Sequence, residues 1–212
     1  MSNEPDAKRR ELERIARLTL AHYDERAESF WQGTRHHDVS QNVAALLAHI
    51  QGDAPFTILD LGCGPGRDLK TFAAMGHHAI GVEGAPRLAA MARAWSGCEV
   101  WELDFLQLAL PANRFDGVFA NASLFHVPAS ELPRVLRELH AALKPDGILF
   151  SSNPHGNNEE GWNRGRYCAY HAPDTWRRCG EVSGFVELAS YYRPAGLPRA
   201  RQPWLATVWR KA

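Results

Sequence analysis

The hydrophobic positions between residues 56 and 152 fall in short apolar runs, separated by stretches whose apolar residues have helical spacing. The runs predict five β-strands, at residues 57–61, 78–83, 99–103, 115–120 and 147–152. The stretches between them predict helices at residues 67–75, 86–94 and 130–143. Strands that alternate with helices form βαβ units, so the pattern predicts an α/β domain built on a mostly parallel sheet.

The residues that precede this region read as helical. Residues 7–30 are highly charged, with apolar positions spaced as in an amphipathic helix. A second helix is predicted at 39–50, and the segment 31–37 between the two helices is predicted to be a loop. We interpret residues 1–52 as a helical cap, or lid, on the α/β domain.

The chain after Ser152 has a looser pattern. Residues 153–171 are polar and rich in glycine, which predicts a long loop that is either functional or a solvated insertion. A short helix is predicted at 173–181, followed by strands at 184–192 and 204–210. Two final strands with no helix between them predict an antiparallel hairpin at the edge of the sheet.

These elements are interpreted as one domain spanning residues 1–212. Residues 1–52 are the cap, residues 53–153 are a ligand-binding core, and residues 154–212 supply a substrate loop and the final hairpin. A chain of this length can bury a full hydrophobic core without cross-links.

The charge balance, the hydrophobic runs and the cysteine spacing limit the partners, metals and cellular locations that we expect for this protein. Lys plus Arg and Asp plus Glu both total 24, so the formal net charge is zero, which argues against an extended contact with DNA or RNA. No apolar run reaches the roughly 18–20 residues of a membrane span, and the N-terminal residues lack the apolar segment of a signal peptide. The four cysteines, Cys63, Cys98, Cys168 and Cys179, lack metal-site spacing. We therefore expect reduced thiols, no metal site and a cytoplasmic location.

The clearest chemistry follows the first predicted strand, in Asp60-Leu61-Gly62-Cys63-Gly64-Pro65-Gly66. Glycines at the carboxyl end of a parallel strand let backbone N–H groups approach a ligand. A dinucleotide fingerprint, G-x-G-x-x-G, would require glycine at position 67, where the chain has arginine. The Asp60 carboxylate also suits a cationic ligand better than the pyrophosphate of NAD. The sequence therefore argues against an NAD-dependent oxidoreductase.

Carboxylates follow three successive predicted strands. Asp60 lies at the end of the first, Glu83 at the end of the second and Asp104 at the end of the third. A carboxylate in the position of Glu83 can accept hydrogen bonds from ribose hydroxyls. Asp104, with the apolar Phe105 and Leu106 after it, can accept from an adenine amino group. This arrangement predicts a nucleoside ligand that also carries positive charge.

The same region resembles the class I S-adenosylmethionine-dependent methyltransferases of the small bacterial type. The resemblance covers roughly residues 56–153. Its motifs are D-L-G-C-G-P-G at 60–66, V-E at 82–83, D-F-L at 104–106, F-D-G-V at 115–118 and L-K-P-D-G at 143–147. It implies a three-layer Rossmann-like fold with a seven-stranded sheet, in which the last strand is inserted antiparallel. It also implies S-adenosylmethionine as cofactor and S-adenosylhomocysteine as product.

The resemblance implies roles for individual residues as well. Tyr23 would lie over the cofactor, and Asn121 would lie beside its methionine portion. The implied cofactor-binding residues are Tyr23, Asp60, Gly62, Cys63, Gly64, Gly66, Glu83, Asp104, Phe105, Leu106 and Asn121. His126, which follows the fourth predicted strand, is the candidate general base, because an unperturbed imidazole titrates near neutral pH.

The expected reaction is methyl transfer to an O, N or S nucleophile of a small polar metabolite. The candidate substrate residues are Trp31, Arg35, His126, Asn153, Arg164 and Tyr167. One hypothesis is that Arg35, Arg164 or Arg166 pairs with a substrate carboxylate. Methylation of a protein or RNA, and a non-catalytic cofactor-binding subunit, stay open as alternatives. The chain is expected to be a monomer or a homodimer.

Overall fold

The computed structural model describes residues 4–212; Met1, Ser2 and Asn3, part of the predicted cap, lie outside the described residues. The helices are α1 Glu4–Glu25, α2 Ala27–Thr34, α3 Ser40–Leu47, α4 Arg67–Ala74, α5 Pro86–Ser96, α6 Leu132–Ala142 and α7 Pro173–Val182. The strands are β1 Thr57–Leu61, β2 His78–Val82, β3 Glu99–Trp101, β4 Phe115–Asn121, β5 Leu143–Pro154, β6 Glu159–Asn163, β7 Arg166–Tyr170, β8 Phe185–Arg193 and β9 Trp204–Lys211.

Seven of these strands form one sheet in the order β3-β2-β1-β4-β5-β9-β8. Neighbouring strands from β3 to β5 are parallel. The last strand, β9, lies antiparallel between β5 and β8. The predicted seven-stranded, mostly parallel sheet with an antiparallel C-terminal hairpin is therefore confirmed. The parallel order also places the carboxyl ends of β1 to β4 along a single edge.

Helices cover both faces of the sheet, which gives the predicted three layers. On one face α6 and α7 pack on β1, β4 and β5 through residues such as Leu136 and Trp176. On the other face α3, α4 and α5 pack through residues such as Leu46 and Phe72. The strands are apolar on both faces because both faces are covered.

The cap differs from its prediction in two respects. The predicted single helix at 7–30 is two helices, α1 and α2, and the predicted loop at 31–37 is helical as far as Thr34. The Thr34 hydroxyl donates to the carbonyl of Phe30 at 2.7 Å, and the Trp31 ring packs edge-on against Trp95. These contacts extend α2 through Gly33, which meets no atom within 4 Å where a Cβ would stand.

The prediction of a loop at residues 153–171 is wrong, because most of this segment forms the antiparallel hairpin β6–β7. Its two connecting residues, Arg164 and Gly165, both have positive φ, of 51° and 88°. Two such residues form the turn that matches the twist of paired strands. Arginine is not a residue that normally indicates this turn, so the polar composition concealed the hairpin.

A buried hydroxyl links the sheet to the helix layer. Thr207 on β9 accepts hydrogen bonds from the indole N–H groups of Trp176 at 3.0 Å and Trp209 at 2.8 Å, and it contacts the Ser151 hydroxyl at 2.9 Å. Thr207 has no solvent exposure. The hydroxyl therefore satisfies two buried donors at once.

We expect Thr207→Val to lower the free energy of unfolding by about 2–4 kcal/mol, since each stranded buried donor costs about 1–3 kcal/mol. Urea denaturation of the variant and the wild type measures the difference. Thr207→Ser keeps the hydroxyl and should lose clearly less. Equal losses in the two variants would contradict the role of the hydroxyl.

Candidate active site

A cavity of about 710 Å³, counting the space at its open mouth, lies where β1 to β4 end. Its floor is formed by the residues that follow the strands, among them Gly62, Glu83, Asp104 and Ser123. The cavity therefore gathers the residues that the sequence placed at successive strand ends.

Helix α1 forms the opposite wall of the cavity. Ile15, Thr19 and Leu20 face it together with Tyr23. Gly84 permits this close approach, because a Cβ there would lie 2.7 Å from the Leu20 side chain. The sequence analysis found only Tyr23 of this wall. The apolar stripe of α1 was the available signal, but it did not show against which surface the helix packs.

Two glycines of the loop after β1 reach the cavity. Gly62 and Gly64 have φ values of +74° and +52°, and a Cβ on Gly62 would lie 2.6 Å from the Cβ of Ser123. Gly66 instead packs against the backbone of Ala92, 2.8 Å from where its Cβ would stand. The first two glycines therefore expose backbone to the cavity, whereas the third lets α4 pack against α5.

The side chain of Cys63 points into the core. Its Sγ would lie 2.7 Å from a Cβ on Gly81, and the residue is 7% exposed. A role of Cys63 in binding is therefore open to its backbone alone.

Glu83 and Asp104 lie on the cavity wall. The Glu83 carboxylate accepts from the backbone N–H of Gly64 at 3.0 Å and of Ala85 at 2.8 Å. Burial raises the pKa of Glu83 to about 7, although these hydrogen bonds oppose the shift. Asp104 accepts from the Leu106 N–H at 2.9 Å, and burial also raises its pKa. Phe105 and Leu106 line the cavity beside it.

Asp60 lies two residues before Gly62, is only 2% exposed and is not among the residues that line the cavity. Its Oδ2 is buried without a hydrogen-bond partner in the described chain. Burial, and to a lesser extent the Asp68 carboxylate, raise the pKa of Asp60 well above its ordinary value. A buried acceptor that lacks a donor fits a ligand that brings a cationic N–H group.

Tyr23 and His126 form a hydrogen-bonded pair on the cavity wall. The Tyr23 hydroxyl lies 2.7 Å from Nε2 of His126, and Nδ1 lies 2.6 Å from the carbonyl oxygen of Tyr167. Burial lowers the pKa of His126 to about 4, so the ring is neutral at pH 7. Because a carbonyl can only accept, Nδ1 carries the proton, and Tyr23 donates to Nε2.

The structure does not bring the remaining predicted residues to the cavity wall. Asn121 bonds to Asn42 at 2.9 Å and to Asp68 at 3.3 Å, within a polar network on the α3 side. Trp31 packs on Trp95 away from the cavity, and Arg35 is exposed.

Three predicted substrate residues belong to the C-terminal part of the chain. Asn153 lines a separate small cavity with His171 and Trp176. Arg164 is exposed in the hairpin turn, while Tyr167 reaches the site through its backbone, by its carbonyl contact with His126 and its N–H contact with Thr19. Substrate roles for these residues stay predictions.

Within residues 4–212, no helix is long and apolar enough to span a membrane. The same part of the chain contains no group of three or more His, Cys, Asp or Glu side chains arranged to hold a metal ion.

Comparison with known proteins agrees with this arrangement. Residues 58–147 match the model of a family described as a methyltransferase domain. The trans-aconitate 2-methyltransferase of Methylobacterium radiotolerans is 31% identical over 191 residues, covering 84% of this chain and 70% of that protein. The corresponding protein of Azoarcus sp. is 30% identical over 164 residues, covering 74% of this chain and 62% of its own length. The chain belongs to the class I S-adenosylmethionine-dependent methyltransferases.

Solved structures share the fold. One is Burkholderia thailandensis 1,6-didemethyltoxoflavin-N1-methyltransferase, with its substrate and S-adenosylhomocysteine bound, at a TM-score of 0.76 and 22% identity. The match covers 95% of this chain and 90% of that one. The curated relatives are longer: the chain spans 62% of the Azoarcus protein and 57% of the one from Methylobacterium nodulans.

Proposed function

We propose that the protein transfers a methyl group from S-adenosylmethionine to an O, N or S nucleophile of a small polar molecule. The observation that carries the proposal is one cavity lined by glycine backbone and two carboxylates, with the unpartnered Asp60 Oδ2 buried two residues before Gly62. When bound, the cofactor supplies an electrophilic methyl group on a sulfonium ion.

Each part of the cofactor has a suitable neighbour. The buried Asp60 would accept from the ammonium group, beside the backbone of Gly62 and Gly64. Glu83 would accept from the ribose hydroxyls. Asp104 would accept from the adenine amino group, while the adjoining apolar side chains pack on the ring.

Tyr23 and His126 would position the acceptor. With its hydrogen donated to His126, the Tyr23 oxygen keeps lone pairs with which to accept a hydrogen bond from the substrate. A neutral imidazole whose pKa is near 4 is a weak base at pH 7. We therefore assign the pair to alignment of the nucleophile, which displacement at a methyl carbon requires, rather than to strong base catalysis.

Relatives support a small-molecule acceptor. The two kinds of relative described above are a trans-aconitate methyltransferase and a didemethyltoxoflavin methyltransferase, both named for small molecules. The cavity, enclosed on one side by α1, suits such a substrate better than an extended macromolecule.

Calorimetric titration with S-adenosylhomocysteine and with NADH tests the cofactor. Incubation with radiolabelled S-adenosylmethionine and a panel of small metabolites, trans-aconitate among them, tests the transfer. We expect tight binding of the sulfur ligand and label in a small product. Binding of NADH alone, or cofactor binding with no transfer to any acceptor, would count against the proposal.

The affinity for S-adenosylhomocysteine should rise with pH. Burial gives Glu83 a pKa of about 7, and we expect the ribose to bind only when Glu83 is ionised. The apparent Kd should then fall by about tenfold between pH 6 and pH 8, because the fraction of protein with an ionised Glu83 rises by that factor. Glu83→Gln should bind more weakly and lose this dependence. A wild-type Kd that is flat across that range would contradict the role of Glu83.

A further inference from the structure

Arg166, the first residue of β7, lies against the Tyr23–His126 pair. Its guanidinium carbon is 5.8 Å from the centroid of the Tyr23 ring. Its Nε is buried and has no hydrogen-bond partner. Within residues 4–212 no carboxylate lies within ion-pair distance of it.

Two other partly buried arginines of the chain, Arg67 and Arg134, are neutralised by carboxylates. Arg67 bonds to both carboxylate oxygens of Asp68, at 2.7 and 2.8 Å. Arg134 pairs with Glu131 at 2.9 Å and with Glu138 at 2.6 Å. Arg166 is thus a partly buried cation whose counter-charge the described chain does not provide, and leaving a buried donor unpaired is costly.

The positive charge of Arg166 affects the protonation of histidines at the candidate active site. It contributes to the lowered pKa of both His126 and His22. An anion bound to Arg166 would therefore give its Nε a hydrogen-bond partner. It would also neutralise the positive charge that Arg166, on the hairpin, places next to Tyr23 and His126.

We propose that the methyl acceptor is a small molecule with a carboxylate, and that the Arg166 guanidinium binds this carboxylate beside Tyr23. This inference rests on the proposed function and names the class of its substrate. A planar guanidinium matches a carboxylate with two parallel hydrogen bonds, which fixes orientation as well as position. Of the three arginines that the sequence offered for this role, Arg35 and Arg164 are exposed, and Arg166 alone contacts the Tyr23 ring.

Arginine Nε–H resonances in a ¹⁵N-correlated NMR spectrum provide a direct test. The protein is saturated with S-adenosylhomocysteine and titrated with acetate, succinate and citrate, with acetamide and succinamide as uncharged counterparts. The Arg166 resonance is assigned by its absence from Arg166→Gln. We expect it to shift saturably with at least one carboxylate and not with the amides.

Arg199→Gln is the matched control. Arg199 also lies over a tyrosine ring, with its guanidinium carbon 3.4 Å from the centroid of Tyr192, but Tyr192, unlike Tyr23, does not line the cavity. With an acceptor found by the transfer screen, Arg166→Gln should raise the acceptor KM by about 10- to 100-fold, as expected when a hydrogen bond to a charged group is lost. Arg166→Lys should fall between, and Arg199→Gln should leave KM unchanged.

Several results would overturn the inference. These are no saturable shift with any carboxylate, equal shifts with the amides, and an acceptor that has no carboxylate. Weaker S-adenosylhomocysteine binding by Arg166→Gln would instead assign the arginine to the cofactor. Methyl transfer to an uncharged acceptor would remove this inference and leave the proposed function intact, whereas failure to bind the cofactor would remove both.

Discussion

Replacement of Gly62 by alanine is expected to weaken S-adenosylhomocysteine binding by about 10- to 100-fold, because the new methyl group reshapes the cavity floor. The added Cβ would lie 2.6 Å from the Cβ of Ser123 and 3.0 Å from the Phe105 ring, at a φ of +74°. Both neighbours line the cavity, so any shift that relieves the contact moves its wall. Overpacking of this kind costs about 1–3 kcal/mol, or roughly tenfold in affinity for each 1.4 kcal/mol.

Gly97→Ala separates crowding from backbone strain. Gly97 has nearly the same φ, +72°, but no atom lies within 4 Å of where its Cβ would stand. It should lose about 1 kcal/mol of stability, as the left-handed conformation is unfavourable for alanine, and keep the wild-type Kd. Calorimetry and thermal unfolding of both variants provide the comparison. A Gly62→Ala protein that binds as tightly as Gly97→Ala would refute the assignment of the loop.

The cofactor side of the site was largely predictable because its information is local. Gly62, Glu83 and Asp104 each follow a short apolar strand directly, and parallel strands end at one edge of their sheet. The alternation of strands and helices was therefore enough to predict that these three residues lie close together. Gly66 shows the limit of this reasoning: the same motif placed it in the binding loop, but its contact is with α5.

The acceptor side was much less predictable, since it depends on contacts between distant segments. The Tyr23 hydroxyl meets a histidine 103 residues away, and the Tyr167 N–H donates to Thr19 across 148 residues. The second contact is made by the hairpin β6–β7, which the sequence analysis took for a loop, and the Tyr167 carbonyl of the same hairpin holds Nδ1 of His126. The polar residues 153–171 therefore supplied candidate side chains, but not the geometry that distinguishes Arg166 from Arg164.

Tyr23→Phe is expected to lower kcat by about 10- to 100-fold, with little change in the Kd of S-adenosylhomocysteine. The phenylalanine ring retains the edge-on contact with Phe30, whose centroid lies 5.4 Å away, so the cavity keeps its shape. What disappears is the hydroxyl that donates to Nε2 of His126 and that we propose orients the acceptor. General acid–base catalysis typically raises a reaction rate by about 10²–10⁴-fold. Because the His126 imidazole is a weak base, we expect the contribution of the Tyr23–His126 pair to lie at or below the lower end of that range.

Tyr191→Phe is the matched control for that measurement. Its hydroxyl also donates to a buried side chain, Oδ1 of Asn42 at 3.0 Å, but Tyr191 does not line the cavity. Each variant should lose about 1 kcal/mol of stability, the typical net contribution of one hydrogen bond. Steady-state kinetics with the acceptor from the transfer screen then isolates the effect of position. If the two variants lose kcat equally, or Tyr23→Phe keeps the wild-type value, Tyr23 is a structural residue and the alignment of the acceptor lies elsewhere in the cavity.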